Sequence, residues 1–214
     1  MKKYLLIVLY LALCAAFFMH APFHYRVALP AFMLCLTVLV RDGGKRMLSW
    51  PMAFAFLFSA MGDCKGADRN LIMQIAYFGL AHICLIYYNI YIVRSRGVKL
   101  LRVEMWPVYA FVAVVLVLAM TMIFPHVETA VLKVSVMTYI ALISTMAITA
   151  ASVSWSARVV WPAVGGVLFL ISDFTLAGGK FVSSSFFMPY FLVMPTYYGA
   201  LLSLWLGASG GKLE

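Results

Sequence analysis

Asp63 and Asp173 are the residues whose type and setting most suggest chemistry. The first closes an apolar run that reads Trp50, Pro51, five residues, Leu57, Phe58, four residues, Asp63. The second reads Trp161, Pro162, five residues, Leu168, Phe169, three residues, Asp173. An ionisable side chain at membrane depth costs at least about 2.5 kcal/mol, and acids kept there tend to mark substrate paths, proton relays or reaction sites. Two carboxyls in one low-dielectric site can divide into a proton donor and a proton acceptor, the requirement of general acid–base catalysis. Two other roles use the same pair: pinning neighbouring helices through hydrogen bonds, or carrying protons in a small transporter.

Fewer signals surround them. Gln74, His82 and Asn89 fall on one broad helical face with Phe78 and Ile86 between, a polar stripe expected to face the interior. A buried histidine serves as readily in a core as in a site. Tyr139, Tyr197 and Tyr198 can donate hydrogen bonds into a shared cavity, although tyrosine also fills interfacial belts. Asp42, Asp68, Glu104 and Glu128 fall in loops or at helix ends, and Glu214 is terminal, so these read as surface charges. Gly62, Gly66, Gly165 and Gly166 flank the aspartates, where small residues allow close helix packing. No H-E-x-x-H pair or P-loop occurs, which removes the motifs of zinc protease and ATPase readings. Cys14, Cys35, Cys64 and Cys84 lack C-x-x-C spacing and read as packing residues.

The elements that must position these groups are transmembrane helices. Of 214 residues, 65% are hydrophobic and 11% charged, against about 25% charged in soluble domains. The net charge of +9 comes from short basic clusters between apolar segments, which suits the positive-inside rule better than a nucleic-acid partner. Lys2 and Lys3 ahead of the apolar run 4–19 have the form of a signal peptide, but no small-x-small site leads into a polar region, so a first transmembrane helix is expected. A crossing takes about 20 residues, and eight segments qualify: 4–20, 25–40, 48–66, 70–93, 105–124, 129–151, 158–177 and 187–207. They form one all-α domain over 1–207, an integral membrane bundle, with 208–214 as a flexible tail or cloning scar. Pro51 and Pro162 sit near helix starts; Pro30 and Pro195 are expected to bend helices two and eight.

Eight crossings put eleven of the sixteen Lys and Arg on the side of the termini, which places both termini in the cytoplasm of a bacterial cytoplasmic membrane. Helices three and seven then run the same way, and both aspartates lie roughly 18 to 20 Å from their Trp-Pro starts at 1.5 Å per residue. The repeated run suggests two four-helix halves in parallel repeat. The one-residue difference between the runs turns one aspartate by about 100° unless a bulge absorbs it.

The chain resembles the YhhN-like lysoplasmalogenase family of multi-pass membrane proteins. The resemblance rests on Leu57-Phe58-Ser59-Ala60-Met61-Gly62-Asp63, Phe78-Gly79-Leu80-Ala81-His82, Tyr139 through Met146, Leu168-Phe169-Leu170-Ile171-Ser172-Asp173, and Tyr197-Tyr198. One departure is Leu29, ahead of Pro30, where the family pattern often carries a basic residue. The resemblance implies eight helices and hydrolysis of the vinyl-ether bond of a lysoplasmalogen to a fatty aldehyde and glycerophosphoethanolamine or glycerophosphocholine. In that reaction Asp173 would be the general acid and Asp63 the base, with the reverse assignment open. His82 and Tyr197 or Tyr198 would hold the carboxylates or bind the headgroup phosphate, and Tyr139 and Asn89 would support them. No cofactor or metal is implied; the partners are a lysophospholipid substrate and membrane lipids, without nucleic acid. The oligomeric state is not set by the sequence.

Overall fold

The computed structural model describes residues 2–19, 23–42, 48–183 and 189–209. Among them are eight α-helices and no strand: α1 (Lys2–Phe18), α2 (Leu29–Asp42), α3 (Ser49–Ala67), α4 (Leu71–Ser95), α5 (Trp106–Leu118), α6 (Ala130–Ala157), α7 (Trp161–Phe181) and α8 (Pro189–Ser209). Five stretches are long and apolar enough to cross a membrane by length and composition, namely Leu71–Ser95, Val103–His126, Ala130–Ala157, Trp161–Phe181 and Phe191–Ser209. Lys3–Phe18 and Arg26–Val40 are apolar but shorter. Large apolar side chains such as Val114, Val117, Val131 and Val134 stay exposed on these helices, the surface of a membrane protein rather than of a soluble bundle.

The helix ends follow local rules, with informative exceptions. Pro107 and Pro162 open α5 and α7, where a missing N–H costs nothing. Pro30 does the same for α2, as its second residue, because the chain before it forms a 3-10 turn, Arg26–Ala28. The bend expected in helix two is therefore replaced by a helix start, whereas Pro195 does lie inside α8. Beyond α5 the chain widens into a π-helical turn, Ala119–Ile123, before a 3-10 turn that holds Pro125. Pro125 has no N–H for the carbonyl of Thr121 and its ring crowds that carbonyl, so the regular ladder cannot continue through it.

Three helices end on a residue with left-handed backbone. After α3, Asn70 N–H reaches Lys65 O and Arg69 N–H reaches Gly66 O; after α4, Val98 and Gly97 bond Val93 and Arg94 likewise. After α6, Val159 N–H bonds Ser154 O. These are Schellman closures, and their left-handed residues are Arg69 (φ 58°), Gly97 (φ 65°) and Arg158 (φ 53°). At the far end α8 continues through buried Ala208 to Ser209, past the expected limit at 207, and the rest of the expected tail lies outside the described residues.

The chain divides into two compact units, Met1–Leu85 and Ile86–Glu214, so the boundary falls inside α4 and does not coincide with two four-helix halves. In the first unit α2 packs on α1 and α3, and the turn Arg26–Ala28 touches all three. In the second, α7 is the central element, against α5, α6, α8 and the π turn. Small residues make that position accessible. A Cβ on Gly166 would lie 3.0 Å from the Cα of Ala147, and one on Gly165 would lie 2.7 Å from the Leu204 side chain.

Candidate functional site

Asp173 lies well inside α7, with eight further helical residues after it. Its carboxylate accepts a hydrogen bond from the phenol of Tyr139 on α6. The register that makes this possible comes from the glycines. Gly166 meets Ala147, and seven residues on along α7 Asp173 meets Tyr139, eight residues back along α6. The helices thus run antiparallel, as a connection of only Arg158, Val159 and Val160 requires. Along α6 the stripe continues through Ile143, Met146, Ala147 and Ala150, all buried.

The other face of α7 is held by α8. Ser172 Oγ donates to Val193 O at 3.1 Å, and the ring of Tyr197 meets Phe169 edge-on at 5.5 Å. Phe169 is one turn before Asp173, on the same side of α7, which brings Tyr197 to the flank of the carboxylate's turn. Tyr198 packs beside Tyr197 at 5.5 Å, and both are buried. Asn89 lies elsewhere in this unit. Its Nδ2 donates to Thr149 Oγ1 at 3.3 Å, and Thr149 Oγ1 donates to Thr145 O at 2.9 Å, so Asn89 ties α4 to α6 as a structural clasp. Thr149 was not expected from the sequence. The signal for it is Thr145, Thr149 and Ser152, small polar residues at helical spacing within an apolar segment.

Asp63 belongs to the first unit and is 6% exposed. Ser59, one turn earlier, is also buried and donates to Ala55 O. Gly62 and Gly66 open this helix to α4: a Cβ at Gly62 would lie 3.0 Å from the Phe78 ring, and one at Gly66 2.6 Å from Gln74. Each step along α3 is matched by the reverse step along α4. That register sets His82, 0% exposed, level with Phe58, about 7.5 Å along the axis from Asp63.

The buried face of α4 runs through Phe78, Ala81, His82, Leu85, Tyr88, Asn89, Ile92 and Val93, so His82 and Asn89 lie inside as expected, whereas Gln74 and Ile86 are half-buried. Neither α3 nor α7 contains a bulge, so each aspartate keeps its own rotational position relative to the Trp-Pro start of its helix. The two carboxyls differ in burial as well. Asp63 is buried and Asp173 only half-buried, although Asp173 is farther from the end of its helix.

Outside these helices Asp68 collects Lys65 Nζ at 3.1 Å, Tyr25 Oη at 3.1 Å and His24 Nε2 at 3.4 Å. Among the described residues no three His, Cys, Asp or Glu side chains form a group able to hold a metal ion. Residues 5–208, nearly the whole chain, match the model of the YhhN family. Neither the curated proteins nor the solved structures give a match.

Proposed function

From the premise that the chain belongs to the YhhN family, we propose that it is a membrane-embedded lysoplasmalogenase, cleaving the vinyl-ether bond of a lysoplasmalogen. The observation that carries the reading is a carboxylate, Asp173, held by a half-buried phenol, Tyr139, midway along a helix long enough to cross a bilayer. A vinyl ether is cleaved by acid. A carboxylic acid delivers its proton to the alkene carbon not bonded to oxygen, the ether oxygen shares the resulting positive charge, and water adds to the oxocarbenium carbon while a base takes its proton. The hemiacetal then collapses to aldehyde and alcohol, and no redox partner is needed. Glycosidases manage a similar cation with two carboxyl groups.

In the proposal the more buried carboxyl, Asp63, supplies the proton, and Asp173, whose ionised form the Tyr139 phenol holds, receives the proton of water. Tyr139 fixes the orientation of the Asp173 carboxyl through its hydrogen bond. Tyr197 and Tyr198 shape the apolar flank beside Phe169, and His82 supports the first unit's interior. Asn89 acts through the fold, by way of Thr149.

The test is product analysis with purified protein in deuterated water. The proposal expects a fatty aldehyde carrying one deuterium on the carbon next to the carbonyl, and no release of fatty acid from an ester-linked lysophospholipid. Aldehyde without that deuterium would exclude carbon protonation. Proton-driven uptake into liposomes with no aldehyde formed would favour a transporter.

A further inference from the structure

Where α5 begins, α6 ends and α7 begins, the second unit carries an open cleft of about 380 Å³ lined by Glu104, Met105, Ser154, Trp155, Arg158 and Ala163, among others. That size lies within the roughly 300–1,000 Å³ of small-molecule sites. Ala163, on its wall, precedes Asp173 by ten residues, or about 15 Å along α7, so the cleft is separate from the Asp173–Tyr139 pair.

The wall is built rather than loose. Ser154 Oγ accepts the Ala163 N–H at 2.7 Å and donates to Val160 O at 3.4 Å, closing the link between α6 and α7. The Schellman closure fixes Arg158 in the left-handed conformation that glycine adopts at no steric cost. Three arginines surround this end of α6. Arg96 donates to Ser156 O at 3.4 Å, which fits a cation at a helix C-terminus. Arg102 pairs with Glu104 at 3.7 Å and lies 5.9 Å from the Trp155 ring centre. The Arg158 guanidinium makes no ion pair or side-chain hydrogen bond among the described residues, although it lines the cleft. Of the lining residues Trp155 and Val160 are exposed, as are Val103, Trp106 and Trp161, each adjacent in sequence to a lining residue, and exposed tryptophans sit at headgroup level.

We propose that this cleft binds the headgroup phosphate of an anionic membrane phospholipid, with Arg158 as its bidentate ligand and Arg102 as the second charge. A guanidinium matches phosphate in geometry as well as charge. Glu104 and Trp155 hold Arg102 in place for it. Three cations against one acid select an anionic lipid over a zwitterionic one, and the acyl chains lie along the exposed apolar flank of Val103 and Trp106. The proposal does not depend on the hydrolytic reading.

Native mass spectrometry of the purified full chain from detergent, with equimolar phosphatidylglycerol and phosphatidylcholine, tests it. Preferential retention of phosphatidylglycerol is expected, unaffected by millimolar inorganic phosphate. Arg158→Gln should cut that retention roughly tenfold, the loss of a charge-assisted hydrogen-bonding group. Arg158→Lys should restore part of it, and Arg69→Gln, at the other left-handed arginine, should leave it unchanged. Equal retention of the two lipids, displacement by inorganic phosphate, or full retention by Arg158→Gln would each overturn the proposal.

Discussion

Asp173 and Tyr139 are joined by a bond between helices that meet through a glycine, and the phenol's contribution can be separated from that of the carboxyl. Tyr139→Phe keeps the ring and removes the donor. A hydrogen bond to a charged group contributes about 1.5–3 kcal/mol, so Tyr139→Phe is expected to remain folded with a lowered thermal unfolding midpoint and an aldehyde-release rate down by roughly tenfold or more. Loss of folded protein instead would make Tyr139 a packing residue. Asp68 offers a second test, away from the membrane-spanning helices. The Lys65 hydrogen bond, then those of Tyr25 and His24, hold its carboxyl below the ordinary 3.8 despite partial desolvation. A depressed folded value stabilises the native state above the unfolded pKa, and that stabilisation is lost as pH falls through the folded value. The unfolding midpoint of the wild type should therefore decline below about pH 3.8 more steeply than that of Asp68→Asn. Parallel curves would remove the clasp. Asp63 and Asp173 stand out in the sequence because a carboxylate inside an apolar run is costly. The Asp68 cluster does not, since His24 and Tyr25 are more than forty residues away and nothing in their spacing announces the partner.

At the level of elements, the eight apolar segments were legible because each is a long run with charged or Gly/Pro punctuation. Pro30 was misplaced because composition does not distinguish a proline inside a helix from one opening it; the preceding 3-10 turn decides. The register of α7 was invisible in the same way, as it depends on which glycine meets which backbone. Gly166 faces Ala147 main chain, whereas Gly199 faces only the flexible end of Leu168 at 3.3 Å. Gly166→Ala is thus expected to destabilise the protein by about 1–3 kcal/mol, as overpacking does, and Gly199→Ala by much less. Detergent-phase thermal unfolding of the two variants compares them directly. Equal midpoints would mean that α7 does not need the close approach.

For the whole molecule, membership of the YhhN family and, among the described residues, five helices of membrane length by size and composition support a helical membrane protein. We propose that all eight helices cross, which puts both termini on one side, the side holding eleven of the sixteen basic residues. Reporter fusions at either end should then both be cytoplasmic, and opposite locations would require an odd number of crossings. The central claim is that two carboxyls carry out vinyl-ether hydrolysis. Aldehyde release from lysoplasmalogen by purified wild type, Asp63→Asn, Asp173→Asn and the double variant tests it most directly. General acid–base groups contribute about 10²–10⁴-fold each. Each single variant should lose about a hundredfold or more in kcat, with the double variant little worse than either alone, the mark of groups that act as a unit. Folded single variants that retain full activity, or a folded wild type that releases no aldehyde, would contradict it.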